Sequence, residues 1–237
     1  MIEIQPQLIA AGGRTLDVLT VRPDAPGRHP IAVLVAGSRS GADVWKLWGK
    51  RLAERGVGVV GVAQPGFGRS TGPWDRGGPP TLAALDALLV WARRLPWVKP
   101  LQIGFGGYSS GATCACLLAT RHHCRVLVGA AGVYDLEDWW AHAAERSSWS
   151  IEHIDPSVTL AELAARSPLA VAAQITCPVR LIHGTDDDVV PPAQALALAS
   201  ALERAGNPPE VVLEPGRGHS SLRSGPFVDG LVAHLMD

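Results

Sequence analysis

Short hydrophobic runs alternate with amphipathic stretches along most of the chain after residue 30. The runs are apolar throughout, which is typical of strands buried on both faces of a parallel sheet. The intervening stretches carry apolar residues at helical spacing. The predicted order is strand Ile31–Ala36, helix Asp43–Arg55, strand Val57–Ala63, helix Leu82–Arg94, strand Leu101–Gly107, helix Ser110–His122, strand Arg125–Ala131, strand Val179–His183, helix Pro192–Ala205, strand Glu210–Glu214 and a C-terminal helix ending near Met236. This alternation indicates an α/β fold with helices on both faces of the sheet.

The N-terminus has a different pattern. Two strands, Ile2–Ala10 and Thr15–Arg22, are separated by the pair Gly12-Gly13, which favours a tight hairpin. We therefore expect an N-terminal antiparallel pair attached to a mostly parallel sheet, with about eight strands in all. At this length the chain is predicted to form a single domain over residues 1–237.

The segment 134–173 shows two helical stretches and no clear strand, and it contains Trp139, Trp140 and Trp149. A connection of this length in a compact domain usually carries a function. We interpret it as a small helical lid inserted in the domain. The alternative is a packing insertion whose tryptophans fill the core.

Composition narrows the function classes. Hydrophobic residues make up 47% of the chain and the net charge is −1, without a basic cluster, which argues against nucleic-acid or membrane-surface binding. The first residues lack the basic start and apolar core of a signal peptide, so a cytoplasmic location is the expectation, as a monomer or homodimer. The four cysteines have no metal-ligand spacing and are predicted to be buried thiols. No metal and no cofactor are expected.

One motif carries candidate chemistry. Gly107-Tyr108-Ser109-Ser110-Gly111 matches G-x-S-x-G, between a predicted strand and a predicted helix. In such a turn the nucleophile is strained, and side chains at the two glycine positions would collide with the neighbouring strand and helix. Ser109 is therefore the candidate nucleophile. The backbone N–H of Ser110, at the start of the helix, is suited to stabilising an oxyanion.

A serine nucleophile needs a base and a group that orients the base. His219 lies in a glycine-rich loop after the last predicted strand, whereas His183, at a strand end, is interpreted as a support for its loop. The acid is expected among Asp186, Asp187 and Asp188, which follow the penultimate strand and are expected to point in different directions. Serine, acid and histidine then appear in the chain order of the α/β-hydrolase triad.

From about residue 30 onward the chain resembles the α/β-hydrolase superfamily, in particular its dienelactone-hydrolase-like and prolyl-oligopeptidase-like branch. The matching segments are Pro65–Ser70, Gly107–Gly111, Gly132–Leu136, Ser167–Leu169, His183–Pro191 and Pro215–His219. The resemblance implies that the acid stands three residues after a glycine. This selects Asp187.

The resemblance also implies an oxyanion loop at residues 36–39, so that the N–H groups of Ser38 and Ser110 are the two donors. The chain departs from the common pattern at Ala36, where a histidine often supports this loop, and at Gln64, where an aspartate is common. Because that histidine supports the loop and does not react, we expect the first departure to leave the mechanism unchanged and the second to have no catalytic consequence.

The predicted function is that of a serine hydrolase that cleaves small carboxylic esters, lactones or thioesters. An amidase or peptidase of the prolyl-oligopeptidase-like type is the alternative, although 237 residues leave no room for the propeller domain that usually accompanies such peptidases. A non-catalytic ligand-binding relative is a further alternative. The candidate pocket residues are Arg39, Trp74, Tyr108, Trp139, Trp140 and Trp149. Arg39 is interpreted either as a contact for a substrate carboxylate or as an exposed side chain. The same two interpretations apply to Arg217.

Overall fold

An eight-stranded sheet organises the protein. The structure is a computed structural model that describes residues 1–146 and 158–237. The strands are β1 (Glu3–Ala11), β2 (Arg14–Arg22), β3 (His29–Val35), β4 (Gly58–Val62), β5 (Val98–Tyr108), β6 (Leu127–Ala130), β7 (Val179–Gly184) and β8 (Glu210–Glu214). Their order in the sheet is β1-β2-β4-β3-β5-β6-β7-β8.

The sheet is mostly parallel, with its antiparallel part at the N-terminus. β1 pairs with β2 around the Gly12-Gly13 turn, and β2 in turn pairs antiparallel with β4. All pairings from β4 through β3 to β8 are parallel. The fold predicted from the sequence is therefore confirmed, including the antiparallel N-terminal pair.

Helices cover both faces of this sheet. Their bounds are α1 (Lys46–Glu54), α2 (Pro79–Arg93), α3 (Ser110–Arg121), α4 (Leu136–Arg146), α5 (Leu160–Ala165), α6 (Ala193–Arg204) and α7 (Ser224–Leu235). The central strand β3 shows why two layers form. Ile31 and Val33 pack into the core beneath α2, α3 and α6, whereas Ala32 and Leu34 pack into the core beneath α1 and α7. Successive side chains of a strand point to opposite faces, so a fully apolar strand needs a helix layer on each side.

Two helices begin about three residues away from their predicted starts. The first predicted helix is split into a 3₁₀ turn, Ala42–Trp45, followed by α1. α2 begins at Pro79, ahead of the predicted Leu82, because proline fits the first turn of a helix, where its missing N–H would have no partner. The carboxylate of Asp75 accepts hydrogen bonds from the N–H groups of Gly78 and Thr81 at this helix start.

The segment predicted as a lid contains α4 and α5. The Thr159 side chain accepts from the backbone of Glu162, and the Glu162 side chain accepts from the backbone of Thr159, which forms a capping box on α5. A small apolar cluster joins the segment to the domain through Val133, Leu136, Trp139, Leu163 and Val190. Trp149 lies outside the described residues.

The four cysteines are all buried. Although Cys124 and Cys177 are distant in the sequence, their Sγ atoms lie 3.0 Å apart between the start of β6 and the start of β7. The spacing of these two cysteines in the sequence does not indicate this contact. The parallel pairing of β6 with β7 brings them together.

No helix in the described part of the chain combines the length and the apolar character needed to cross a bilayer.

Candidate active site

Three side chains meet at the carboxyl edge of the sheet. Ser109 directly follows β5, Asp187 lies in the loop after β7, and His219 lies in the loop after β8. These strands are parallel, so the loops that follow them emerge at the same edge. Such an edge is where ligands bind in open α/β sheets.

Ser109 occupies a strained turn between β5 and α3. Its backbone has φ 54° and ψ −129°, a conformation that non-glycine residues rarely adopt. The flanking glycines make the turn possible. A Cβ on Gly107 would lie 2.2 Å from the carbonyl oxygen of Gly111, and a Cβ on Gly111 would lie 2.1 Å from that of Val35. The glycine at each position is therefore a steric requirement, because strand and helix cross at backbone contact here.

A continuous hydrogen-bonded chain joins the three side chains. Ser109 Oγ lies 3.1 Å from His219 Nε2, and His219 Nδ1 lies 2.8 Å from Asp187 Oδ2. With the proton on Nδ1, the imidazole donates to the carboxylate and presents Nε2 as an acceptor to the serine hydroxyl. This arrangement can transfer a proton from Ser109 to His219 during nucleophilic attack.

The Asp187 carboxylate is buried and remains ionised. Burial raises its pKa, but hydrogen bonds from His183 and His219, together with the N–H of Val190, more than offset that effect and hold the pKa well below its usual value. The N–H groups of Val189 and Val190 bind Oδ1 at 3.1 and 2.8 Å. These contacts leave Oδ2 directed at His219.

His183 supports this loop, as the sequence suggested. It is fully buried, and its Nε2 lies 2.8 Å from the carbonyl oxygen of Val190 and 3.3 Å from Asp187 Oδ2. The imidazole therefore ties the acid to the backbone of the same loop. It does not contact Ser109 in the described structure.

Two contacts hold the loop that carries His219 in place. A Cβ on Gly184 would lie 2.1 Å from the carbonyl oxygen of Arg217, so the loop rests directly on the end of β7. Tyr108 donates a hydrogen bond from its hydroxyl to the carbonyl oxygen of His219. Burial, with the negative charge of Asp187, raises the pKa of Tyr108 to about 12, so the phenol keeps its proton and remains a donor.

The other two aspartates point elsewhere, as expected from their mutual repulsion. Asp186 is exposed and accepts a hydrogen bond from the Thr185 hydroxyl. Asp188 faces the cavity beside the site, and its carbonyl oxygen lies 3.3 Å from His142 Nε2.

A cavity of about 680 Å³ opens in front of Ser109 and His219. Among the residues predicted for the site and pocket, Ser38, Arg39, Trp74, Tyr108, Ser110 and Trp139 line it. Trp140 packs in the cluster behind Trp139 and is not on the cavity wall in the described structure. Arg39 is exposed at the rim, whereas Arg217 directs a guanidinium N–H toward the carbonyl oxygen of Ser221, 3.4 Å away.

Arg76 belongs to the cavity wall, although it is not among the residues predicted from the sequence. This residue lines the cavity yet is only 2% exposed, and its guanidinium lies 4.1 Å from the ring centre of Trp74 and 3.9 Å from that of Trp139. Burial, together with the positive charge of Arg166, lowers the pKa of Arg76 to about 9. The sequence signal is weak, because Arg76 lies between Asp75 and a glycine pair in a proline- and glycine-rich loop, which is compatible with an exposed turn.

The comparisons with known proteins agree with this geometry. A family model described as "Prolyl oligopeptidase family" matches residues 83–232. An uncharacterized peptidase, YuxL of Bacillus subtilis (strain 168), is 26% identical over 190 residues, which cover 73% of this chain and 28% of that protein. The chain thus spans less than a third of the length of this curated relative.

Solved structures show the same fold. The acylaminoacyl peptidase of Pyrococcus horikoshii superposes with a TM-score of 0.79 at 20% identity, covering 96% of this chain and 39% of that one. Acetyl xylan esterase 1 from Thermoanaerobacterium sp. JW/SL YS485 superposes with a TM-score of 0.75 at 18% identity, covering 100% of this chain and 88% of that one. These likenesses establish the α/β-hydrolase fold.

Proposed function

The chain belongs to the prolyl oligopeptidase family, and we propose that it is a serine hydrolase that cleaves carboxylic esters, lactones or thioesters through an acyl-enzyme on Ser109. The observation that carries the proposal is the hydrogen-bonded chain from Ser109 through His219 to Asp187, in which Ser109 and His219 line a cavity. Nucleophile, base and orienting acid are the three parts that serine-based acyl transfer needs.

In the first half of the reaction, Ser109 Oγ attacks the substrate carbonyl carbon while its proton passes to His219 Nε2. The tetrahedral oxyanion binds the N–H groups of Ser38 and Ser110, which are the proposed donors. His219 then donates its proton to the departing alkoxide, and the alcohol leaves the acyl group on Ser109.

The second half repeats this sequence with water. His219 takes a proton from a water molecule, whose oxygen attacks the acyl carbon, and the same N–H groups stabilise the second oxyanion. The proton returns to Ser109 Oγ as the carboxylic acid leaves. Asp187 stays ionised through both halves and stabilises the imidazolium, which agrees with the low pKa that its hydrogen bonds produce.

The cavity is of a size that holds a small-molecule substrate. Its volume of about 680 Å³ lies within the usual range for small-molecule pockets, and Trp74, Trp139 and Val133 give it apolar surface. An esterase of known structure, the acetyl xylan esterase, is matched over nearly its whole length. Both points support ester substrates for this chain.

A peptidase is the second candidate. The family model and the Bacillus relative both have names that refer to peptidases, and the peptide bond is cleaved by the same triad chemistry.

We also propose that residues 134–173 act as a lid, since Trp139 and His142 of α4 lie on the cavity wall.

The proposal is tested on a substrate panel. Purified protein is assayed with p-nitrophenyl esters of graded acyl length, one lactone and one aminoacyl anilide, with Ser109→Ala as the matched variant. We expect turnover of short esters, much slower turnover of the anilide, and loss of both in Ser109→Ala. Faster turnover of the anilide than of every ester favours the peptidase, whereas no turnover of any substrate favours a ligand-binding protein.

A further inference from the structure

A buried amide links the two halves of the proposed oxyanion hole. Gln64 follows β4 and is fully buried. Its Nε2 donates to the carbonyl oxygen of Ala36 at 2.7 Å and to the hydroxyl of Ser110 at 2.8 Å. Its Oε1 accepts from Trp74 Nε1 at 3.2 Å. One side chain therefore contacts the loop after β3, the start of α3 and the cavity wall.

The chemistry of the neighbours fixes the orientation of this amide. A carbonyl oxygen such as that of Ala36 can only accept, so it must face the NH₂ group. The indole N–H of Trp74 can only donate, so it must face Oε1. A flipped amide would break both bonds at once. The Ser110 hydroxyl is adaptable, and it takes the remaining N–H of Gln64.

The two Nε2 bonds end next to the two proposed oxyanion donors. Ala36 precedes Gly37 and Ser38, the loop that carries one donor N–H, and Ser110 carries the other. This loop also packs on the nucleophile turn, since a Cβ on Gly37 would lie 3.1 Å from Ser109 Cβ. Catalysis by such donors depends on their spacing, because an oxyanion must meet both N–H groups at hydrogen-bond distance.

We propose that Gln64 is a positioning residue that sets the distance between the N–H groups of Ser38 and Ser110. This inference rests on the proposed function. An aspartate, the residue common at this place in the resembled superfamily, has no donor hydrogen when ionised and could not make the two bonds. The two departures noted in the sequence, Ala36 and Gln64, are thus direct partners in the structure. Our expectation that Gln64 has no catalytic consequence is replaced by this proposal.

Two variants of nearly unchanged side-chain size separate this role from simple filling of the core. Gln64→Met removes every hydrogen bond of the amide. Gln64→Glu keeps an acceptor for Trp74 but loses at least one of the two donor bonds in either protonation state. The matched control is Cys114→Ala, because Cys114 Sγ lies 3.5 Å from Gln64 Oε1 and contacts only the acceptor side.

Each protein is assayed for kcat and KM on p-nitrophenyl acetate, and for the inhibition constant of a trifluoromethyl ketone, whose tetrahedral adduct places an oxyanion on the same donors. We expect kcat to fall about 10- to 100-fold in both Gln64 variants, and the inhibition constant to rise by a similar factor. KM should change less than about 3-fold, and Cys114→Ala should stay within about 2-fold of the wild type in all three constants.

The outcomes are distinguishable. If folded Gln64 variants match the wild type within about 2-fold in kcat and in inhibition, Gln64 does not position the donors. An equal loss in Cys114→Ala also overturns the inference, since it would indicate a general packing effect. If the wild-type protein neither hydrolyses esters nor binds the ketone, the proposed function itself fails.

Discussion

Two sides of the cavity are built by different means. One side, which we call the catalytic edge after its proposed role, comprises Ser109, Asp187 and His219 and stands on the ends of three parallel strands. The indole wall, which comprises Trp74, Arg76 and Trp139, comes from the loop before α2 and from α4. Strand order fixes the catalytic edge, whereas the indole wall depends on the stacking of its side chains on one another.

This difference separates two kinds of function. The catalytic edge has buried hydrogen bonds to backbone groups, which hold atoms at defined distances. The indole wall presents aromatic surface around a buried cation, which determines the shape of the cavity. We therefore expect changes at the catalytic edge to act on kcat, and changes at the indole wall to act on KM and on substrate choice. The following predictions test that separation.

The largest effect is expected at the acid. Asp187→Asn keeps the shape of the side chain, but it favours the wrong tautomer of His219 and removes the charge that stabilises the imidazolium. We expect kcat to fall about 10⁴-fold. Asp186→Asn is the matched control, because Asp186 is exposed and outside the hydrogen-bonded chain. Comparable losses in the two variants would contradict the assignment of Asp187.

The pH dependence of kcat/KM provides the next test. Because its hydrogen bonds hold the pKa of Asp187 well below the usual value, this carboxylate is ionised at any pH above that lowered value. Protonation of Asp187 should therefore contribute nothing to the pH dependence between pH 8 and pH 5. We expect any fall in kcat/KM toward acid over this range to have a limiting slope no steeper than one, about 10-fold per pH unit. A slope of two in stopped-flow or steady-state assays would indicate that the acid titrates as well.

A smaller effect is expected at the indole wall. Arg76→Met removes the cation between Trp74 and Trp139 while retaining a long apolar side chain. Loss of a desolvated cation–π contact worth about 2 kcal/mol should let the two indoles move. We expect KM to rise several-fold for the preferred ester and the ranking of acyl lengths to change, with kcat within about 3-fold. A fall in kcat at constant KM would contradict the proposed separation, in which the catalytic edge acts on kcat and the indole wall acts on KM.

The smallest effect concerns the backbone of the indole wall. Arg76 has φ 53°, in the left-handed region. Arg76→Gly should therefore be more stable than Arg76→Ala by about 1 kcal/mol, because only glycine adopts this conformation without strain. In urea unfolding, the control pair Lys50→Gly and Lys50→Ala in α1 should show the opposite order, since glycine weakens a helix interior. The same order in both pairs would mean that Arg76 is not strained.

The catalytic edge was predictable because its signals are local. The turn at Ser109 is predictable from its neighbours in the sequence, because the turn sterically requires glycine at Gly107 and Gly111. Strand periodicity then places His219 and the aspartates at the same edge. Choosing Asp187 among its neighbours required the family resemblance. The structure shows a physical basis for that choice, since the N–H groups of Val189 and Val190 donate hydrogen bonds to the carboxylate of Asp187.

Trp74 and Trp139 of the indole wall were predicted as pocket residues, but Arg76 and the amide of Gln64 were not predictable, because their roles arise from contacts between distant segments. Arg76 is surrounded by glycines and prolines that favour an exposed turn, and its burial depends on Trp139 in a separate helix. Gln64 follows a strand as an ordinary polar residue. Only the packing of the loop after β3 against α3 gives its two N–H groups their acceptors.

The most direct test of the central claim is to locate the nucleophile. The folded protein is treated with a fluorophosphonate probe, digested, and analysed by tandem mass spectrometry that resolves Ser109 from Ser110. We predict a single adduct on Ser109, which disappears in Ser109→Ala and is strongly reduced in a variant lacking the His219 imidazole. An adduct on Ser110, or a folded wild-type protein that remains unmodified, would contradict the account.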